Sequence, residues 1–144
     1  MVILSETKGF LLIYFCSESF DDRESQEHLC RDLKGLASLK NLHIENLGFA
    51  EINEEGLEMV SEAFEELRSL NGLALDFVMC AFKTTEKVQG FHQALKKLSC
   101  LKALSLNFQR CHFYGKDAEV VASLSDALKE LKSLTTLKLE LDFK

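Results

Sequence analysis

The chain has 144 residues and a mass of 16.3 kDa, with 47% apolar and 28% charged residues. These proportions predict one folded globular domain, and they exclude both a disordered tail and a membrane span. The net charge is −6 and the isoelectric point is near 5.2, so the phosphate backbone of a nucleic acid would be repelled. Leucine is far more frequent than ordinary mixed folds need, and this skew calls for an explanation.

The first long apolar run, Phe10–Phe15, has no basic region before it beyond Lys8 and no small-residue cleavage site, so a signal peptide is not expected. The cysteines are odd in number and lack Cys-x-x-Cys spacing, which favours free thiols in a reducing compartment. We therefore expect a cytoplasmic protein with no metal and no cofactor. The five cysteines are Cys16, Cys30, Cys80, Cys100 and Cys111.

One phrase, Leu-x-x-Leu-x-x-Leu-x-Leu/Ile, recurs along the chain at nearly constant intervals, beginning at Leu36, Leu67, Leu98 and Leu131. The same interval counted back from Leu42 gives Leu11, so the first apolar run is a diverged copy of the phrase. In each copy the apolar residues alternate, which predicts five strands that are buried on one face. The inward positions are Leu11/Ile13/Phe15, Leu42/Ile44, Leu73/Leu75/Phe77, Leu104/Leu106/Phe108 and Leu137/Leu139/Leu141.

Between the strands, apolar residues recur at i, i+4 and i+7, which predicts one helix with one buried face in each interval. Strand, helix and return to a parallel strand, repeated, predict a right-handed βα solenoid whose units are stabilised by stacking on one another. Ala63, Ala94 and Ala127 share one equivalent position, where a small side chain would let neighbouring helices approach closely. The helical stripes are Leu29/Leu33/Leu36, Val60/Phe64/Leu67, Phe91/Leu95/Leu98 and Leu124/Leu128/Leu131.

The phrase and its continuation resemble the leucine-rich repeat proteins, specifically the long-repeat class typified by ribonuclease inhibitor. That family continues after its strand with x-x-Asn/Cys-x-apolar, and the resemblance implies that Cys80 and Cys111 stabilise the turn. It covers about residues 10–144. The two segments that fit best are Leu75-x-Phe77-x-x-Cys80-x-Phe82 and Leu106-x-Phe108-x-x-Cys111-x-Phe113.

The fold expected from the repeats and the resemblance is an α/β leucine-rich repeat solenoid with a curved parallel sheet of about five strands and outer helices. It forms a single domain, 1–144. The repeats run over about 10–40, 41–71, 72–102, 103–135 and a partial 136–144. The chain stops directly after the last strand phrase, so we expect an open edge that belongs to a longer array or is covered by another subunit.

Strand residues that alternate with the buried leucines would form polar rows across the concave face, at a strand spacing of about 4.8 Å. One row reads Leu12, His43, Ala74, Ser105, Lys138, and the next reads Tyr14, Glu45, Asp76, Asn107, Glu140. Three acids in the second row are suited to a basic partner, and the alternative is ordinary solvated surface. The candidate protein-binding residues are Tyr14, His43, Glu45, Asp76, Asn107, Lys138 and Glu140.

No catalytic residues are expected, because the four histidines fall in different repeats and no glycine-rich phosphate loop occurs. The favoured function is a non-catalytic protein-interaction scaffold that presents the concave face. The alternatives are a recognition or regulatory fragment of a larger multidomain protein or enzyme, and a structural subunit packed in a large assembly. The partners expected are proteins with a basic patch or neighbouring subunits, with no nucleic acid and no membrane span.

Overall fold

The computed structural model describes residues 2–7, 9–15, 23–46, 54–78 and 80–143. These residues form an α/β structure with four helices and one six-stranded sheet. The strands are β1 Val2–Thr7, β2 Phe10–Phe15, β3 Asn41–Asn46, β4 Gly72–Asp76, β5 Ala103–Cys111 and β6 Thr136–Phe143. The helices are α1 Arg23–Lys34, α2 Glu54–Phe64, α3 Thr85–Leu95 and α4 Asp117–Glu130. None of these helices is long and apolar enough to cross a membrane.

The order of the strands across the sheet is their order along the chain, and β2 to β6 are all parallel. The predicted five-stranded parallel sheet is therefore confirmed. The pairing register follows the spacing of the leucine phrase, since Leu11, Leu42, Leu73, Leu104 and Leu137 are successive partners. The same alternating positions of every strand consequently face the same side of the sheet.

The hydrophobic core lies between the sheet and the helices. The inward strand residues from Leu11 to Phe108 for which burial is described are at most 4% exposed, and the helical stripes pack against them in one cluster. Ala63, Ala94 and Ala127 are buried as expected, at 0%, 5% and 0% exposure.

Each helix leads into the next strand through two successive tight turns. The amide of Leu67 donates to the Phe64 carbonyl at 3.2 Å, and the amide of Leu70 donates to the Leu67 carbonyl at 3.1 Å. The same pair of i to i−3 bonds occurs at the equivalent leucines of the other three phrases. The Leu-x-x-Leu spacing of the phrase is thus the spacing of these turns, which place both leucines in the core.

Strand β1 is an element that the repeat did not predict. It pairs antiparallel with β2, from Val2 opposite Phe15 to Thr7 opposite Phe10. The reversal requires Gly9, whose φ of +81° is unfavourable for residues with a Cβ. Because β1 lies beside β2 in the sheet, it covers the outer edge of β2 rather than either of its faces.

Strand β5 is longer than the phrase predicted, because it continues to Cys111 through a break in register near Gln109. Arg110 within this break has a φ of +57°, as is typical of a bulge. The bulge leaves Cys111 fully buried and His112 exposed. The Cys111 thiol donates to the Phe77 carbonyl at 2.7 Å, so it links the last residue of β5 to the residue that follows β4.

Candidate functional site on the open face of the sheet

The open face of the sheet is the side opposite the leucines, and no helix in the described part of the chain packs on it. Its residues fall into rows because all five parallel strands share one register. The first row is Phe10, Asn41, Gly72, Ala103, Thr136. The second row is Leu12, His43, Ala74, Ser105, Lys138, and the third is Tyr14, Glu45, Asp76, Asn107, Glu140. The second and third rows are the two that the sequence predicted.

The seven candidate residues thus lie in two adjacent rows of one surface. His43, Glu45, Asp76, Asn107 and Glu140 are half-buried, and Lys138 is exposed. Tyr14 is paired with Glu45 in the backbone register, and its side chain lies outside the described part of the structure. The fold therefore brings the predicted set together.

The position of Asp76 on the open face perturbs the pKa of its carboxyl. Its Oδ1 atom is buried and has no hydrogen-bond partner among the described residues. Burial raises the pKa of this carboxyl, and the neighbouring Glu45 carboxylate raises it further, as Glu140 does to a smaller extent. His43 and Lys138 act in the opposite direction. The third row thus holds one buried carboxylate oxygen that lacks a donor among the described residues.

At the β6 end of the rows, charges are already paired. Lys138 Nζ lies 2.9 Å from Glu140 Oε1, and the pKa of Lys138 is raised by this bond. Gln109 Nε2 donates to Glu140 at 3.4 Å, and the Gln109 amide donates to Asn107 Oδ1 at 3.0 Å. Among the described residues, the negative charge of this row that has no ion pair is therefore centred on Asp76 and Glu45.

A shallow depression of about 370 Å³ lies beside the acids, over the amino-terminal ends of the strands. Its floor consists of small residues, Gly72, Ala74 and Ala103, and Phe10 lies at one side with 38% of its surface exposed. A Cβ atom on Gly72 would lie 2.5 Å from the Asn41 Oδ1 atom, which is too close for a normal contact. The Asn41 side chain can lie over this position because residue 72 is a glycine. This depression was not predicted from the sequence, although its signal is the run of small residues in the first two rows.

The cysteines and histidines are dispersed over the fold. Cys30, Cys80 and Cys111 are buried, Cys100 is exposed, and all four are thiols, while Cys16 lies outside the described residues. His28 and His112 are exposed, and His43 is on the open face. His92 is fully buried in α3, where burial lowers its pKa to about 4. Its Nδ1 atom is 2.9 Å from Ser123 Oγ.

The chain matches no protein-family model, and it has no significant match among curated proteins.

Proposed function

We propose that the chain is a leucine-rich repeat solenoid that binds protein partners on its open face and has no catalytic activity of its own. The pairing register supports the solenoid, because the interval from one leucine phrase to the next is also the offset between paired strand positions. Parallel strands hold side chains of successive units at a fixed spacing of about 4.8 Å. A partner would therefore meet a preorganised array and would lose little entropy in ordering it.

The observation that carries the proposal is the buried Oδ1 atom of Asp76, which has no hydrogen-bond donor among the described residues and lies beside Glu45. A buried acceptor without a donor is costly, and a second acid nearby adds repulsion. A lysine or arginine side chain from a partner, placed over the half-buried Asp76 and Glu45, would reduce that repulsion. We infer that the partner presents a basic group over Asp76.

The depression adjoining the acids gives the same partner a second contact. Its floor of small residues leaves room for an apolar side chain, which would lie against Phe10 and over Ala74. A segment that crosses the strands would place the basic group and the apolar group on neighbouring rows. We therefore propose an extended or helical protein segment with a basic residue next to an apolar one.

The test uses a displayed library of random dodecapeptides, selected on the immobilised chain. We expect the selected pool to be enriched in lysine and arginine next to apolar residues. The double variant Glu45→Lys/Asp76→Lys should lose this pool, because the third row then repels it. Binding should also weaken as salt is added, since the contact is largely between charges.

The matched control is Glu66→Lys/Glu130→Lys, which changes the net charge equally at two exposed acids away from the open face. This control should keep the selected pool. Equal loss in both double variants would refute the open-face site, because net charge alone would then explain binding. If the chain is instead packed into an assembly through its helices, Glu45→Lys/Asp76→Lys would leave that assembly unchanged.

Asp76→Asn is expected to raise the melting temperature at neutral pH while it weakens binding of basic peptides. The pKa of Asp76 is higher in the folded chain than in the unfolded chain, so protonation of this residue favours the folded state. This contribution to the free energy of unfolding is lost as the pH rises through the raised pKa. Asparagine carries no charge and avoids this loss. The gain should disappear when thermal unfolding is followed below about pH 3, where aspartate is protonated in both states.

Asp126→Asn is the control for this stability measurement. The pKa of Asp126 is lowered by its hydrogen bond to Lys129, so its neutral replacement should bring no gain at pH 7. A gain of the same size in both variants would indicate an effect of net charge. The charged Asp76 carboxylate would then not lower the free energy of unfolding more than an exposed carboxylate does.

The expectation of a reducing compartment remains a proposal. It is supported by the four described thiols, three of which are buried in the core.

A further inference from the structure

Strand β6 ends the sheet in the described part of the chain, and half of its backbone groups point away from β5. The Thr136 amide donates to the Lys102 carbonyl at 3.0 Å, so Thr136 faces β5. Because successive residues of a strand face opposite sides, the amides and carbonyls of Leu137, Leu139 and Leu141 point to the outer edge. This edge therefore offers a row of regularly spaced donors and acceptors.

The same three leucines are less buried than their equivalents. Leu137 is 45% exposed and Leu141 is 36% exposed, and Leu139 is only partly buried. Leu73 and Leu104, which occupy the position of Leu137 in the two preceding strands, are 2% and 1% exposed. The outer edge thus combines unpaired backbone groups with an apolar row on the helical side.

We propose that β6 pairs antiparallel with β6 of a second copy of this chain, with Leu139 opposite the partner's Leu139. In this register Leu137 lies opposite the partner's Leu141, and each outward-facing leucine forms a hydrogen-bonded pair. The two sheets become one continuous sheet around a two-fold axis. The apolar rows of both copies then adjoin on the helical side.

Charge complementarity selects this register. Lys138 lies opposite the partner's Glu140, and Glu140 lies opposite the partner's Lys138. These are non-hydrogen-bonded pairs, in which side chains are closest. Within one chain Lys138 and Glu140 already form an ion pair of 2.9 Å, so four alternating charges would surround the axis.

The two neighbouring two-fold registers are less favourable. An axis at residue 138 places Lys138 opposite the partner's Lys138, and an axis at residue 140 places two Glu140 side chains opposite each other. Like charges directly opposite are destabilising. An axis between two residues would set outward-facing backbone groups opposite inward-facing ones, so the hydrogen bonds would not form. Of the registers centred on residues 138, 139 and 140, the one centred on Leu139 satisfies both the charges and the backbone.

The first experiment measures the mass of the chain by sedimentation equilibrium over a range of concentrations. We expect twice 16.3 kDa at high concentration and dissociation on dilution. Lys138→Glu and Glu140→Lys should each raise the dimer Kd at least about tenfold, because both cross-strand pairs become repulsive. Mixing these two variants should restore a dimer that contains one copy of each, which native mass spectrometry with one isotope-labelled copy would identify.

The control is Lys129→Glu, which removes an exposed ion pair of the same 2.9 Å length, with Asp126, away from β6. It should leave the Kd unchanged. A monomer at every concentration would overturn the proposal, as would a dimer that no β6 variant weakens or masses that grow beyond two copies. Failure of the variant mixture to recover the dimer would overturn the register. The proposal does not depend on the open-face function, which the peptide selection tests separately.

Discussion

Replacing Phe108 with alanine is expected to lower the free energy of unfolding by about 3–5 kcal/mol. Phe108 is 2% exposed and its ring contacts those of Phe77, Phe82, Phe91 and Phe113 at centroid distances of 5.5–6.4 Å. These rings come from β5, α3 and the segments that follow β4 and β5, so they join both strands and a helix in one cluster. The loss is large compared with the total stability of about 5–15 kcal/mol that is usual for a domain.

The measurement is thermal and urea unfolding followed by circular dichroism, with a fall in melting temperature of about 10–20 °C expected. Phe10→Ala is the control, because Phe10 lies on the open face with 38% of its surface exposed. It should cost less than about 1 kcal/mol, since little apolar area is lost from the core. Similar losses in both variants would mean that the ring cluster contributes no more than ordinary surface burial.

The sheet could be predicted from the sequence because one simple physical pattern recurs. Alternating leucines specify a strand with one buried face, and the constant interval between phrases makes Leu42, Leu73 and Leu104 partners in a parallel sheet. Once the register is known, the polar residues between the leucines fall into rows without further assumptions. For this reason Glu45 and Asp76 could be predicted as neighbours.

Strand β1 could not be predicted from the repeat, because it has no counterpart in the other units and pairs in the opposite direction. The local signal for it is Gly9, which follows the β-prone residues Val2–Thr7 and precedes the apolar run of β2. The donor-free oxygen of Asp76 was not predictable either. Whether this oxygen has a donor depends on which side chains surround it in three dimensions. The repeat pattern of the sequence does not specify those neighbours.

The leucine phrases also align a column of polar residues in the helices, which the sequence analysis did not identify. Cys30, Ser61 and His92 occupy one column of the helices, and all three are buried, at 8%, 8% and 0% exposure. Cys30 donates to the Met59 carbonyl and Ser61 donates to the Leu57 carbonyl. In α1, α2 and α3 this helical column is therefore a polar position inside the core, and His92 is its largest and only basic member. Ser125, the equivalent residue of α4, is exposed.

His92 is expected to make the protein lose stability as the pH falls from about 6.5 to about 4. Its pKa is lowered from 6.5 to about 4, first by burial and then by the charge of Lys96. Below pH 6.5 the unfolded chain binds a proton that the folded chain excludes, so acidification favours unfolding. Between pH 7 and pH 5 the expected loss from this one group is about 2 kcal/mol. Urea unfolding at pH 7, 6 and 5 measures it.

His92→Gln is the variant that tests this assignment, because an amide of similar size is polar but does not titrate. Its unfolding free energy should change by much less between pH 7 and pH 5 than that of the native chain. The control is His28→Gln at an exposed position of α1, which should keep the native slope. If the native chain and His92→Gln lose stability in parallel, the buried imidazole is not the source of the pH dependence, and an exposed histidine or a carboxylate must be. A flat profile in His92→Gln alone would show that the core of α3 excludes the proton down to about pH 4.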